Sequence, residues 1–253
     1  MTFQILIPAR YSSSRFPGKP LAKICGVEMI VRVCQQVAKT GIPLAVATDD
    51  ERIASCVGAA GFQAVMTASD LRSGTERCAA AYKAMGSKAD VVINVQGDEP
   101  FILPEQICCL ADIFSQYPDT RIATLAKPFD PADGFDALFD PNLVKLTFSE
   151  QNEALYFSRS IIPYVRSTDW KNWLKVVKFF THIGIYAYRA DTLAEIVALP
   201  ESTLEKAESL EQLRWLQNGI PVRVGISQQQ TIGIDTPADL ERAEQFFLKE
   251  MHD

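Results

Sequence analysis

The sequence predicts a Rossmann-like α/β fold with a central, mostly parallel (mixed) sheet flanked by helices. Short apolar runs typical of buried strands alternate with helical patterns through the first half of the chain. Acidic and hydroxyl residues suited to helix N-caps follow several of these runs. Hydrophobic residues make up 47% of the 253 residues, which is enough for a substantial core.

The predicted elements follow one another in a regular order. The first strand covers residues 3–7, and we expect Pro8 to end it, because proline cannot donate to the ladder of a central strand. Further strands are predicted over residues 43–48, 62–67, 90–96, 144–149, 155–157 and 183–188. Helices are predicted to begin at Asp49-Asp50 and to cover residues 73–85, 204–218 and 236–249. Residues 169–178 are predicted to form an irregular segment. We expect one domain over residues 1–253 with a smaller lobe embedded at about 130–190.

Composition excludes several classes of function. The net charge of −6 argues against a general binder of nucleic acid or of anionic membranes. We expect neither a signal peptide nor a membrane-spanning segment, because the short apolar start is not followed by a small-residue cleavage site and no apolar stretch is long enough to span a membrane. The six cysteines form no C-x-x-C motif, so neither a zinc site nor a disulfide framework is expected, and the predicted compartment is the cytoplasm.

Positive charge is concentrated in the loop that follows the first strand. This loop carries Arg10, Arg15 and Lys19, three serines at 12–14, and the flexible Gly18. Ligands of open α/β sheets bind outside the carboxyl ends of the strands, and arginine and lysine suit phosphate oxygens. The glycine spacing of a P-loop or of a dinucleotide fingerprint is absent. We predict a triphosphate site, with a solvated basic loop as the alternative.

Two distant aspartates are candidate ligands for a metal ion. Asp98 follows a predicted central strand, at the same sheet edge as the basic loop. Asp235 lies just before Thr236 and Pro237, which resemble the N-cap and first residue of the last helix. Mg²⁺ usually takes one or two carboxylates and completes its shell with water and phosphate oxygens. The alternatives are an ordinary Gly-Asp turn and a residue that only initiates a helix.

Short motifs along nearly the whole chain point to one family. They are Ile7-Pro-Ala-Arg, Ser14-Arg-Phe-Pro-Gly-Lys19, Ala47-Thr-Asp-Asp, Ser73-Gly-Thr-Glu-Arg77, Val95-Gln-Gly-Asp-Glu-Pro100, Ala154-Leu-Tyr-Phe-Ser-Arg159, His182-Ile-Gly-Ile-Tyr186, Leu210-Glu-Gln-Leu-Arg214 and Ile234-Asp-Thr-Pro237. Together they resemble the 3-deoxy-manno-octulosonate (Kdo) cytidylyltransferase family of sugar nucleotidyltransferases. Two places depart from its pattern: Phe16 stands for the usual leucine, and Leu71-Arg72 stands where His-Gln is common.

The resemblance implies a fold and a reaction. The fold is that of nucleotide-diphospho-sugar transferases. The reaction is Mg²⁺-dependent transfer of CMP from CTP to Kdo, giving CMP-Kdo and pyrophosphate for lipopolysaccharide biosynthesis. By the same resemblance the catalytic residues are Arg10, Lys19, Asp98 and Asp235, of which the two aspartates hold the metal, and the nucleotide-binding residues are Arg10, Ser13, Arg15, Lys19, Ser73, Gly74 and Gln96.

The resemblance also implies a sugar-acid site and a homodimer. The residues implied for this site are Arg77, Arg159, His182, Tyr186, Glu211 and Gln212, and the embedded lobe is the expected dimer contact. Taken singly, His182 could be a strand-end histidine, Tyr186 a core residue and Glu211 part of a solvated helix face. Three other functions stay open: use of 8-amino-8-deoxy-Kdo, use of another sugar acid such as sialate, and a silent nucleotide-binding regulator.

Overall fold

The structure is a computed structural model that describes residues 1–12, 16–229, 233–234 and 236–250, with the backbone alone for residues 246–250. The chain divides into two compact units. The first comprises Met1–Cys108 with the described part of Thr231–Asp253, and the second is Cys109–Gln230. The single domain with a lobe at about 130–190 stays a prediction.

Strands and helices alternate along the described chain. The strands are β1 (Phe3–Ala9), β2 (Lys23–Ile24), β3 (Val27–Glu28), β4 (Leu44–Thr48), β5 (Ala64–Met66), β6 (Val91–Asn94), β7 (Ile122–Pro128), β8 (Lys145–Phe148), β9 (Ala154–Ser158), β10 (Phe180–Arg189) and β11 (Val222–Ile226). The helices are α1 (Met29–Ala38), α2 (Glu51–Ala59), α3 (Gly74–Ala84), α4 (Pro104–Gln116), α5 (Phe135–Leu138), α6 (Trp173–Val176), α7 (Ala190–Ala198), α8 (Thr203–Glu208), α9 (Gln212–Gln217) and α10 (Pro237–Glu250). The predicted α/β class, with a mostly parallel sheet flanked by helices, is confirmed.

The first unit contains four parallel strands in the order β6-β1-β4-β5. The central strand β1 is an almost continuous apolar run, as expected for a strand buried on both faces. Helix α1 buries Met29, Ile30, Val33 and Val37, which recur at helical spacing. Asp50 and Ser73 cap α2 and α3 through their side chains, as the sequence predicts.

The second unit contains five strands in the order β11-β7-β10-β8-β9. Strand β11 is parallel to β7, whereas the β7–β10 and β8–β9 pairs are antiparallel. The irregular segment predicted over residues 169–178 contains the short helix α6 and a preceding single helical turn. The helical segment predicted over 204–218 is two helices, because Ser209 adopts a left-handed conformation with φ 51° and ends α8.

Pro8 does not end the first strand. Strand β1 continues through Pro8 to Ala9, and both residues stay in register with β4. Pairing with β6 stops at Leu6, and the Pro8 carbonyl points toward Gly97, which follows β6 in the chain. The nitrogen and the carbonyl oxygen of one strand residue point to the same side, so the Pro8 nitrogen also faces the segment after β6. Because β6 no longer pairs with β1 there, the missing N–H of proline breaks no ladder hydrogen bond. The expected end at Pro8 was therefore wrong.

Two further features bear on the sequence predictions. No helix within the described residues is long and apolar enough to cross a membrane. All six cysteines are thiols rather than disulfides.

Candidate active site

A cavity of about 250 Å³ lies in the first unit at the carboxyl ends of β1 and β6. Because these neighbouring strands are parallel, the segments that follow them leave the sheet at the same edge. The residues lining the cavity are Pro8, Ala9, Arg10, Lys19, Pro20, Leu71, Arg72, Ser73, Gly74, Arg77, Gln96, Gly97 and Asp98. Three segments that are distant in sequence, including the predicted phosphate loop, therefore form one wall.

Cations outnumber carboxylates among the side chains that line the cavity. Arg10, Lys19, Arg72 and Arg77 are the cations, and Asp98 is the only carboxylate among the described lining residues, although Arg72 and Arg77 pair with carboxylates outside that set. Nζ of Lys19 lies 2.6 Å from Oδ2 of Asp98, and the side chains are 12% and 33% exposed. Arg10 is exposed and makes no ion pair with any residue that the structure describes. This arrangement suits a polyanion together with a cation held at Asp98.

Glycines allow the backbone to pack closely at the cavity. A Cβ at Gly97 would lie 2.9 Å from the Pro8 carbonyl oxygen, which is closer than side-chain atoms normally approach. A Cβ at Gly74 would lie 3.1 Å from the Pro8 ring. Gly74 opens α3, whose N-terminal N–H groups suit an anion. The small residues at 74 and 97 thus permit the ends of the two strands and the start of α3 to meet at one place.

Two arginines in the cavity wall are held in different ways. The guanidinium of Arg77 is only 3% exposed and lies 3.0 Å from the Asp49 carboxylate. Its Nη1 also donates to Oγ1 of Thr67 at 2.6 Å and to the Ala68 carbonyl at 3.2 Å. Arg72 is 58% exposed and pairs with Glu76 one helical turn away. Arg77 therefore braces the wall, and Arg72 lies at its solvent side.

Three predicted site residues, Ser13, Arg15 and Asp235, lie outside the described residues. Their flanking segments are defined. The Ile234 N–H donates to the Asp98 carbonyl at 3.0 Å, so the chain immediately before position 235 lies against Asp98. On the other side of the phosphate loop, the Gly18 N–H donates to the Tyr11 carbonyl at 2.9 Å. The Arg52 guanidinium stacks 3.4 Å from the centre of the Tyr11 ring, which anchors the loop near α2.

The second unit brings His182 and Tyr186 together on one face of β10. A bulge inserts Gly184 and Ile185 between Ile183, opposite Leu125, and Tyr186, opposite Thr124. Because two residues are inserted, the side-chain alternation is restored after the bulge. The His182 and Tyr186 rings consequently lie 5.3 Å apart, and Phe157 and Trp215 pack edge-on against them at 5.1 Å each.

Desolvation shifts the pKa of both rings away from the ordinary values. His182 keeps part of its surface exposed, but its aromatic surroundings lower its pKa from 6.5 to about 3, which keeps the imidazole neutral. Burial raises the pKa of the Tyr186 phenol well above 10, with Tyr188 and Glu211 adding to the shift. The Tyr186 hydroxyl lies beside Thr124 but makes no hydrogen bond of normal geometry with the described residues. Both groups are thus neutral hydrogen-bonding groups near pH 7.

Arg159 is held by backbone carbonyl groups. Its guanidinium donates to the carbonyls of Glu208 at 2.6 Å, Pro141 at 2.8 Å and Ser209 at 3.4 Å. A guanidinium has five N–H donors, so donors remain for a ligand. Lys145 is fully buried and donates to the Arg159 carbonyl at 2.6 Å, and burial lowers the pKa of Lys145. Arg159 is therefore fixed from both its side chain and its backbone.

Glu211 and Gln212 lie where α9 begins. The Glu208 carboxylate accepts from the Ser158 hydroxyl at 2.7 Å and the Arg159 N–H at 2.8 Å, which joins β9 to the segment before α9. Oε1 of Glu211 lies 3.6 Å from the Arg214 guanidinium, and Gln212 is 5% exposed. The segment that carries Glu211 and Gln212 is thereby joined to β9 and Arg159, and Glu211 is close enough to Tyr186 to contribute to its raised pKa.

Comparison with known proteins places the chain in a family. The profile of the cytidylyltransferase family matches residues 4–248. A 3-deoxy-manno-octulosonate cytidylyltransferase of Parabacteroides distasonis is 55% identical over 244 residues, covering 96% of this chain and 97% of the relative. The chain belongs to the 3-deoxy-manno-octulosonate cytidylyltransferase family. The Bacteroides thetaiotaomicron member is 53% identical over 246 residues, covering 97% of this chain and 98% of the relative.

A solved structure supports the same family membership. It is a CMP:2-keto-3-deoxy-manno-octonic acid synthetase complexed with CTP. It is 40% identical to this chain, with a TM-score of 0.90, and the match covers 99% of this chain and 100% of that chain. The fold that the resemblance implied is thereby confirmed.

Three residues that hold the predicted site residues in place were not predicted from the sequence. Thr124 bonds His182, and Lys145 and Glu208 hold Arg159. These residues lie outside the motifs that carried the resemblance, and Thr124 and Lys145 are marked by no glycine or clustered charge, whereas Glu208 is one of several charged residues on a predicted helix. Arg72, which departs from the family pattern, also lines the cavity. The roles given to the predicted site residues stay predictions.

Proposed function

We propose that the protein transfers CMP from CTP to Kdo, releasing CMP-Kdo and pyrophosphate. The observation that carries this proposal is the cavity lined by Arg10, Lys19 and Asp98, in which the Lys19 ammonium group lies 2.6 Å from the Asp98 carboxylate. Such a wall suits a triphosphate and a divalent cation. Relatives at 53–55% identity carry the name of this activity, which supports the choice of nucleotide and sugar acid.

The proposed reaction requires mainly positioning and charge stabilisation. The anomeric hydroxyl oxygen of Kdo forms a bond to the α-phosphorus, the bond from that phosphorus to the bridging oxygen breaks, and the hydroxyl proton is released to water. Arg10 and Lys19 stabilise the negative charge that gathers on the departing pyrophosphate. The N–H groups at the start of α3, beside Gly74, offer further donors to the nucleotide.

We further propose that Asp98 and Asp235 hold Mg²⁺. The Asp98 carboxylate is 33% exposed and lies beside Lys19, and Mg²⁺ usually takes one or two carboxylates and completes its shell with water and phosphate oxygens. The hydrogen bond between Ile234 and Asp98 supports pairing with the next residue, Asp235. When bound, Mg²⁺ would neutralise phosphate charge and favour ionisation of the attacking hydroxyl. Lys19 would then exchange Asp98 for phosphate oxygens.

We propose that five residues of the second unit contact Kdo. Arg159 offers a cation to the Kdo carboxylate, and His182, Tyr186, Glu211 and Gln212 offer donors and acceptors to its hydroxyls. The product would enter lipopolysaccharide biosynthesis, with the reaction in the cytoplasm. The thiol state of all six cysteines is compatible with that compartment.

The proposed activity is tested by pyrophosphate release. We expect release when CTP, Mg²⁺ and Kdo are all present, and none when any one is omitted. Parallel assays replace Kdo with 8-amino-8-deoxy-Kdo or sialic acid, and CTP with UTP. Faster release with the amino sugar would reassign the acceptor, and no release with any acid would contradict the enzymatic proposal in favour of a silent nucleotide binder.

We also propose that the protein is a homodimer in contact through an aromatic patch of the second unit. Phe135, Phe139, Trp170 and Trp173 form edge-on and tilted ring contacts there. Phe139 is 56% and Trp170 is 44% exposed, and nearby Tyr164 is 77% exposed. An exposed cluster of large apolar side chains is typical of an interaction surface.

Sedimentation velocity tests the proposed homodimer. We expect the parent chain at micromolar concentration to sediment as a dimer and a Phe139→Glu/Tyr164→Glu double variant as a monomer, because buried like charges oppose association. Leu155→Glu, an exposed apolar position outside the patch with 63% exposure, is the matched control. A parent that sediments as a monomer, or a dimer that survives the double substitution, would contradict the patch as the interface.

A further inference from the structure

Thr124 lies on β7, opposite the bulge in β10. Its Oγ1 lies 2.9 Å from Nε2 of His182, 2.8 Å from the Ile185 carbonyl and 3.4 Å from the Ile183 carbonyl. Thr124 is opposite Tyr186 in the β7–β10 register and is itself completely buried. One hydroxyl group therefore bridges the backbone of the bulge and the ring of a proposed substrate-binding residue.

The single hydrogen of that hydroxyl can be assigned by hydrogen-bonding capacity. A bulge interrupts the ladder, so the carbonyl groups of the inserted residues need donors from elsewhere. Carbonyl oxygens accept only, and Oγ1 of Thr124 lies closer to the Ile185 carbonyl, at 2.8 Å, than to the Ile183 carbonyl, at 3.4 Å. The Tyr186 hydroxyl beside Thr124 can itself donate, so it does not require this hydrogen. The Thr124 hydrogen is therefore directed to Ile185, and Oγ1 must accept from His182.

This assignment fixes the tautomer of His182. A neutral imidazole has one donor and one acceptor nitrogen, so an Nε2–H group leaves Nδ1 as an acceptor. The aromatic rings of Phe157 and Tyr186 surround the imidazole and disfavour its charged form. Nδ1 has no hydrogen-bond partner in the part of the chain that the structure describes, and the residue keeps partial exposure. An acceptor nitrogen is thus left for a ligand.

We propose that Thr124 is a positioning residue that holds His182 in its Nε2–H tautomer and presents Nδ1 as the acceptor for a hydroxyl group of the sugar acid. The inference rests on the proposed function for the identity of the ligand, but the tautomer itself belongs to the unliganded protein. Thr124 acts through His182 and through the bulge that aligns His182 with Tyr186.

Nitrogen NMR tests the tautomer without any substrate. The sequence has two histidines, so His252→Gln leaves His182 as the single imidazole in a protein labelled with ¹⁵N-histidine. At pH 7 we expect a neutral ring with a protonated Nε2 and an unprotonated Nδ1. A spectrum of the opposite tautomer, or of the imidazolium, would overturn the proposal. This measurement judges the tautomer even if Kdo proves not to be a substrate.

Steady-state kinetics test the role in binding. Thr124→Val removes the hydroxyl and keeps the shape, and Thr124→Ser retains the hydroxyl. We expect Thr124→Val to raise the KM for Kdo by about 3- to 10-fold, the usual loss for one hydrogen bond, with the KM for CTP within about twofold of the parent. Thr124→Ser should restore the KM and the parent tautomer.

Two kinetic results would overturn the positioning role. One is an unchanged KM for Kdo in Thr124→Val, and the other is a rise in the KM for CTP of the same size. If Thr124→Val fails to fold, the parent spectrum and the Thr124→Ser variant decide the question. In Thr124→Ser, loss of the Nε2–H signal together with an unchanged KM for Kdo would refute the positioning role.

Discussion

Replacing Lys19 with alanine is expected to lower kcat by about 10²- to 10³-fold, the loss typical of removing one preorganised charge from an active site. Lys19 lines the cavity, and its ammonium group lies 2.6 Å from the Asp98 carboxylate. Negative charge develops on the leaving pyrophosphate, so a fixed cation contributes most in the transition state. The expected loss therefore falls mainly on kcat rather than on the KM for CTP.

The fold should survive this substitution. The Asp98 side chain is 33% exposed, so water can solvate the carboxylate that loses its partner. Partly exposed ion pairs of this kind contribute about 0–1 kcal/mol to the free energy of unfolding. Circular dichroism and a thermal melt close to those of the parent would show that the loss of turnover is not a loss of folded protein.

Lys23→Ala is the matched control for Lys19→Ala. Lys23 lies four residues further along the chain and is not among the residues that line the cavity. Its side chain is 62% exposed and lies 3.5 Å from the Glu28 carboxylate. We expect its turnover to remain within about twofold of the parent, since it supplies only a surface ion pair. If Lys19→Ala also stays in that range, Lys19 has no part in the chemistry.

The sequence was sufficient to predict that the basic loop and Asp98 lie at one edge of the sheet, because the parallel topology brings the segments after β1 and β6 together there. Arg10, Lys19 and Asp98 follow strands whose carboxyl ends must share one edge. The end of β1 could not be predicted, since it depends on where β6 stops pairing and on which side Pro8 faces. The sequence pattern indicates the propensity of each residue, whereas the end of a strand also depends on the strands that lie beside it.

The surroundings of His182 were beyond the reach of sequence patterns. The approach of Thr124 depends on a two-residue bulge and on the antiparallel register of β7 and β10. Moving that register by one residue would point Thr124 to the other face of the sheet. The buried Lys145 is a similar case, because its partners are backbone carbonyls that carry no sequence signature.

Arg77→Met is expected to lower the free energy of unfolding by about 3–5 kcal/mol, the usual cost of removing one partner from a buried ion pair. The Arg77 guanidinium is 3% exposed and the Asp49 side chain 13% exposed. Methionine fills similar space but leaves the Asp49 carboxylate, the Thr67 hydroxyl and the Ala68 carbonyl without this donor. Urea denaturation followed by fluorescence measures the loss.

A double-mutant cycle separates the ion pair from the packing. Asp49→Asn removes the charge left behind, so the double variant Asp49→Asn/Arg77→Met should be less destabilised than the sum of the single variants by about 1–3 kcal/mol. Additive losses would show that the ion pair contributes little and that packing of the Arg77 stem accounts for the effect.

Arg72→Met is the control that decides between bracing and ligand binding at this wall. Arg72 lines the same cavity but is 58% exposed, so its pair with Glu76 should contribute less than about 1 kcal/mol. We therefore expect a large loss of stability for Arg77→Met and a small one for Arg72→Met. The reverse order would contradict the bracing role. A stable Arg77→Met protein with a raised KM for Kdo would instead support the substrate contact that the family resemblance implies. The guanidinium would then contribute to ligand binding rather than to the free energy of unfolding.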